Sequence, residues 1–299
     1  MAIVALTSTR KTFGRSTAAL AMTLLWPRAA LLAECDPAGG SSVLSGYLRG
    51  TVDHSRGLLP LAMAQRHEEL ESALWAQTVP LTPQAAQPGS PTDDRRVLPG
   101  LSDAAQAPSV RALWGPLGWL LASLERAGTD VIVNAGRLGT AQDPNAPTPL
   151  LRQADLVLLV MGTGLPEVGF AKARLNLLRE ELSLTATGGR LAGAPSTNLG
   201  LLLVGDGRPY SAKEISSAFG VPVVASLAWD PAGAEVLATG ANPGRRFNTS
   251  PLVRSTQAAI SASSELIRQR RDRLAPPTAP PASPSIAERL LGREAANDA

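Results

Sequence analysis

Short apolar runs alternate with longer amphipathic stretches along most of this chain. Ile3-Val4-Ala5-Leu6 gives way to a polar segment at 7–17, then to an apolar stretch at 18–26 and a second short run at 29–33. Glu34-Cys35-Asp36-Pro37 closes the unit, which reads as strand, polar turn, helix, strand, acidic turn. Further apolar runs at 156–160 and 201–204 lack polar alternation, as buried strands do, and 131–133 and 221–224 read as strands too. Between them, helical spacing recurs at 57–78 with Pro60 breaking it, and at 109–127, 167–182, 213–219 and 251–273. Residues 95–98 read as a short strand, and 80–94, rich in Pro, Gln, Ser and Thr, as a surface loop. The alternation predicts an α/β fold, a doubly wound and mostly parallel sheet flanked by helices, with any ligand at the carboxyl ends of the strands.

The expected organisation is one domain over 1–274, a proline-rich linker at 275–284 and a short helical or disordered tail at 285–299. The tail alternates Glu288, Arg289, Arg293 and Glu294 around Ile286, Leu290 and Leu291. It lacks the basic face that membrane insertion requires, so no membrane contact is expected.

Composition narrows the function classes. With 44% hydrophobic and 18% charged residues in 299, the chain has the balance of a globular protein. A net charge of +3 is too small to imply nucleic acid by itself. One cysteine and two histidines exclude a disulfide framework and a Cys/His metal centre, and fit a reducing, cytoplasmic compartment. His54 and His67 read as ordinary polar residues. The run Arg268-Gln269-Arg270-Arg271-Asp272-Arg273 complements a helix carboxyl end, with nonspecific DNA phosphate as the alternative partner.

Two segments carry chemistry. A turn between a strand and a helix amino end is where backbone N–H groups converge on phosphate, and the segment at 9–17 has that placement. The phosphate-binding pattern G-x-x-x-x-G-K-[ST] is met in part: Gly14 and Ser16 stand, while Thr9 replaces the first glycine and Arg15 the lysine. Asp130-Val131-Ile132-Val133-Asn134-Ala135-Gly136 has the Walker B arrangement of a strand ending in a polar residue and then a glycine, with Asn134 where an acid would hold Mg²⁺ through water.

Together these residues resemble the MinD/ParA family of ATPases, whose loop runs K-G-G-x-G-K-T-T. On that pattern Arg10 falls on the signature lysine that crosses a dimer interface, Lys11 and Thr12 on two glycines, and Gly14 on the third. Arg15 falls on the phosphate lysine, and Ser16 and Thr17 on the closing pair. Glu34-Cys35-Asp36-Pro37 resembles D-x-D-P, with Asp36 on the carboxylate that orients the attacking water. Asp130 to Arg137 resembles D-V-x-x-D-x-G-R, and Trp229 to Ala234 the D-P-x-x-A turn. Residues 31–50 are similar to an actinobacterial MinD-like subgroup.

The resemblance implies ATP and Mg²⁺ as cofactors. Arg10 and Asp36 would take the catalytic positions, and Ser16, Asp36 and Asn134 would surround the metal. Gly14, Arg15, Ser16, Thr17, Asn134 and Gly136 would line the phosphates, with Gly205, Asp206 and Pro209 near the base. It further implies a homodimer switch acting with a protein partner of a partitioning, secretion or pilus system. Changes at Lys11, Thr12, Arg15 and Asn134 open the alternative of a binding scaffold without turnover. A second resemblance competes at 9–25, to a twin-arginine export signal; Lys11 in place of the second arginine, the preceding strand and Glu34 beside Cys35 count against it.

Overall fold

The computed structural model of the protein describes residues 3–9, 14–66, 69–82, 94–139, 143–183, 198–205 and 207–274. In chain order the first half holds β1 (Ile3–Ser8), α1 (Arg15–Leu25), β2 (Ala30–Glu34), a π-helical turn (Val43–Tyr47), α2 (Leu58–Ala64), α3 (Leu70–Gln77), β3 (Val79–Pro80), β4 (Arg95–Leu98), α4 (Ala107–Val110) and α5 (Trp114–Ser123). The second half holds β5 (Asp130–Arg137), α6 (Thr148–Gln153), β6 (Leu156–Gly162), α7 (Leu165–Ser183), β7 (Leu199–Val204), α8 (Ala212–Phe219), β8 (Val223–Leu227), α9 (Pro231–Thr239) and α10 (Pro251–Leu274). The strands form an eight-stranded sheet in the order β3-β4-β2-β5-β1-β6-β7-β8. Six of its pairings are parallel, and the edge strand β3 runs antiparallel to β4.

Alternation along each strand divides the core into two layers. Ile3 and Ala5 of β1 face one layer with Leu31, Val133, Leu159 and Leu201, where α2 to α8 supply Leu61, Leu74, Leu117, Leu151, Leu175 and Phe219. Val4 and Leu6 face the other with Leu32, Ile132, Leu158 and Leu202, against α1, α9 and α10. Both faces being covered explains why these strands read as unbroken apolar runs. A fully buried leucine or isoleucine contributes about 1.5–3 kcal/mol, so the paired layers favour this arrangement over any one-sided sheet.

Local chemistry sets the ends of the helices. Ala18, Ala19 and Ala21 give α1 high helix propensity and lie fully buried against the sheet. Pro27 cannot extend it, and the Trp26 indole donates to Asp130 Oδ2 at 2.7 Å. α8 starts in a capping box between Ser211 and Glu214 and stops at Gly220, whose φ is 58°. α9 starts on Asp230, which accepts from the Gly233 N–H.

Some boundaries differ from the pattern-based expectation. Pro60 does not break the helix at 57–78; it sits in the first turn of α2, where its missing N–H costs nothing, and the helix stops after Ala64 instead. The helix expected at 109–127 is a broken series, α4, a 3-10 turn and α5. Val79 and Pro80 add an edge strand that runs into the segment expected as a loop, 80–94. Two residues are too short to show a period. The linker at 275–284 and the tail at 285–299 lie outside the described residues.

The arginine-rich end of α10 is engaged at the amino edge of the sheet. Arg271 bridges Glu125 at 2.6 Å and Asp155 at 2.9 Å, and Arg270 donates to the Asp155 carbonyl at 2.7 Å. Arg268 pairs within its own helix with Glu265 and Asp272. Arg270 and Arg271 thus tether the helix end to the start of β6, a role that neither the helix-end reading nor the DNA reading contained.

Candidate functional site

At the carboxyl ends of β1, β2 and β5 the two chemistry-bearing segments meet. Parallel register sets Glu34 of β2 beside Asn134 of β5, and Leu6 of β1 on the other side of Asn134. The first turn of α1 rests above them. Gly14 caps α1 with φ 101° and ψ −12°, a left-handed conformation that favours glycine. A β-carbon there would also press on Val204 Cγ1 at 3.3 Å. Arg10, Lys11, Thr12 and Asp206 lie outside the described residues.

Arg15 turns back into the sheet. Its Nη2 donates to Asp36 Oδ2 at 2.5 Å, its Nε to Asn134 Oδ1 at 2.8 Å and its Nη1 to Ser8 Oγ at 2.9 Å. All three guanidinium nitrogens therefore have a protein acceptor. The Asn134 amide donates in turn to Ser16 Oγ at 3.3 Å. Only 12% of the Arg15 side chain and 21% of Asp36 remain exposed, so the pair is well shielded. Burial lowers the Arg15 pKa and the Asp36 carboxylate opposes it, with Arg137 adding a smaller repulsion. Arginine stays charged through such shifts.

Glu34 is the second carboxyl of the site, and sequence reasoning gave it no role of its own. Burial pushes its carboxyl above the ordinary value, while hydrogen bonds from Ser41, Gly100 and Val43 pull the other way. The Ser41 hydroxyl donates to Glu34 Oε2, as does the Gly100 N–H at 3.4 Å. Ser16, Glu34, Asp36, Ser41, Gly100 and Asn134 share a polar cavity of about 30 Å³. Cys35, between the two acids, is buried on the opposite face of the strand, and its thiol pKa is raised by desolvation.

Gly136 is a sequence-marked glycine with a visible constraint. Its φ is 73°, and a β-carbon would fall inside the Asp36 carboxylate. The Thr7 hydroxyl donates to its carbonyl at 3.0 Å, which ties the end of β1 to the end of β5.

On the other flank of α1, Gly14 and Thr17 open onto an apolar pocket of about 210 Å³. Val204 of β7, Leu227 of β8 and the segment Ala228, Trp229, Asp230, Pro231 form its wall. The base-contacting positions expected at Gly205 and Pro209 do not line it: Gly205 donates to the Leu227 carbonyl at 3.0 Å, and the carbonyl before Pro209 accepts from Thr163 at 2.7 Å. The signal for the wall that sequence reasoning missed was Trp229 itself, an aromatic directly before a helix-capping aspartate.

No protein-family model matches the sequence, and no curated protein matches it significantly. Solved structures do. A ParA family ATPase from Chlorobium tepidum TLS superposes with a TM-score of 0.63 at 14% identity, over 88% of this chain and 98% of the other. The fold is that of the MinD and ParA ATPases. The Pyrococcus furiosus cell division ATPase MinD gives 0.60 at 15% identity, covering 89% and 99%. The septum site-determining protein MinD from Pyrococcus horikoshii OT3, complexed with Mg-ADP, gives 0.60 at 16%, covering 90% and 97%. MinD/ParA-like architecture thus extends over nearly the whole described chain. No helix among the described residues is long and apolar enough to cross a membrane, and no group of three or more His, Cys, Asp or Glu among them is placed to hold a metal.

Proposed function

We propose that this protein is a MinD/ParA-like nucleotide-binding switch that positions a cellular structure through a protein partner, its nucleotide being ATP or ADP. The observation that carries the reading is the apolar pocket opening onto the first turn of α1. A helix amino end offers unpaired N–H groups and a positive dipole to phosphate. An apolar pocket beside it, with Trp229 on its rim, suits the flat face of a base. Thr17 and Gly14 border both regions, so one nucleotide spans them. By resemblance, Arg10 reaches across a homodimer interface, and dimerisation couples nucleotide to partner.

A second reading keeps the partner surface and drops turnover. Asp36, the residue expected to orient water, is committed to Arg15, and Asn134 lacks the charge of a metal-holding acid. Phosphoryl transfer depends on electrostatic stabilisation by groups free to act on phosphate and water. Slow or absent hydrolysis accords with both observations.

Calorimetric titration of the full chain with ATP and ADP tests the proposal. Micromolar binding of either supports the switch, and a steady-state phosphate assay then separates it from the scaffold. Absence of heat at millimolar nucleotide overturns nucleotide binding and leaves the scaffold reading.

A further inference from the structure

The residues that would surround Mg²⁺ do not fit a divalent cation as they stand. Magnesium demands near-octahedral oxygen ligands at about 2.0–2.1 Å and is strongly charged. Asp36 and Asn134 Oδ1 already accept from the Arg15 guanidinium at 2.5 and 2.8 Å, and Ser16 Oγ accepts from the Asn134 amide. Ser8, at the end of β1, accepts the third guanidinium nitrogen. A planar cation with fixed donors has thus collected the acceptors that a spherical cation would need.

The charge balance points the same way. Asp36 is neutralised at contact distance, and Arg137, from the end of β5, lies close enough to repel Arg15. Glu34, the other carboxyl lining the small polar cavity, is 5% exposed and hydrogen-bonded by Ser41 and Gly100. A metal ion entering here would meet a permanent positive charge before it met a free carboxylate. An anion on the amino end of α1 would meet the N–H groups of the helix start and the nearby Arg137 guanidinium favourably.

We infer that the Arg15 guanidinium is the resident cation of this site, standing in place of a divalent metal, so that phosphate groups bind here without one. The inference rests on the nucleotide-site reading for its ligand, but its cation half is testable alone. Arg15 takes the metal's position because its fork is long enough to leave the helix and reach Asp36, just after β2, and Asn134 of β5.

Two measurements on the full chain decide it. Mn²⁺ titration followed by electron paramagnetic resonance, without nucleotide, should show no specific uptake by the wild type. Arg15→Gln, and Arg15→Ala beside it should one variant fold poorly, should gain uptake that a further Asp36→Asn change removes. Wild-type uptake abolished by Asp36→Asn overturns the inference, and so does a complete lack of uptake in wild type and variants, since the site is then no metal position. In parallel, ADP affinity in EDTA should differ from that in Mg²⁺ by less than about threefold, whereas tightening of about tenfold or more by Mg²⁺ overturns it. If ADP fails to bind in both conditions, the nucleotide reading falls while the Mn²⁺ titration still decides the cation.

Discussion

Gly136 and Asp36 stand so close that a β-carbon on the glycine would overlap the aspartate carboxylate. The carboxyl end of β5 therefore fixes where Asp36 lies, and through it the Arg15 network. Gly136→Ala adds left-handed strain of about 1–2 kcal/mol and drives the carboxylate off Arg15. Denaturant unfolding should show a loss of at least about 1 kcal/mol; an unchanged midpoint would mean the turn relaxes freely.

Glu34 should make stability depend on pH. Its folded pKa is raised above the ordinary 4.5, so the folded chain holds this proton more tightly than the unfolded one. The stabilisation is complete below the ordinary value and is lost as pH rises through the folded one. Glu34→Gln has no proton to lose there. The difference in melting temperature, variant minus wild type, should grow in favour of the variant between acidic and neutral pH, and a flat difference would exclude Glu34 as the source.

Asp155 is the receiving end of the α10 tether. It accepts from the Ile3 N–H at 2.9 Å and from Arg271. Asp155→Ala should cost about 1–3 kcal/mol, mostly from the stranded backbone donor. Arg271→Ala, whose side chain is 41% exposed, should cost about 0.5–1 kcal/mol. Both should leave electrophoretic retardation of DNA unchanged; a loss of retardation on Arg271→Ala would restore the phosphate-gripping role.

Filling the apolar pocket should separate binding from folding. Ala234 lines it from the first turns of α9, and Ala234→Phe should weaken ADP binding by about tenfold or more, roughly 1.4 kcal/mol. Its unfolding midpoint should stay near the wild type. Unweakened ADP binding would place the base elsewhere.

The parts of the fold set by local pattern were legible in the sequence. β1, α1 and β2 follow from a continuous apolar run, an alanine-rich stretch and a second run, and the doubly wound sheet follows from their repetition. The direction of Arg15 was not legible. It depends on Asp36, just after β2, and Asn134 of β5, and a residue in the place of a phosphate lysine reads as pointing to phosphate. Glu34 was hidden for a related reason: of its donors, Gly100 comes from 66 residues further along the chain, and Ser41 is brought back by the turn after β2. Gly14, Ser16, Thr17 and Gly136 were placed by motif spacing, and the structure gathers them around α1 and the end of β5. The apolar pocket escaped because its wall comes from the segment after β8, while the resemblance directed attention to the loop after β7.

The distribution of indoles makes the protein its own optical probe. Trp26 and Trp114 are sealed at 1% exposure, while Trp119 and Trp229 stand open at 65% and 58%. A soluble quencher will darken the second pair long before the first. In a background carrying Trp119→Phe and, at the half-buried indole, Trp75→Phe, the change in quenching on adding a ligand would therefore report chiefly on the rim of the pocket, and the blue-shifted remainder would report whether the core stayed closed.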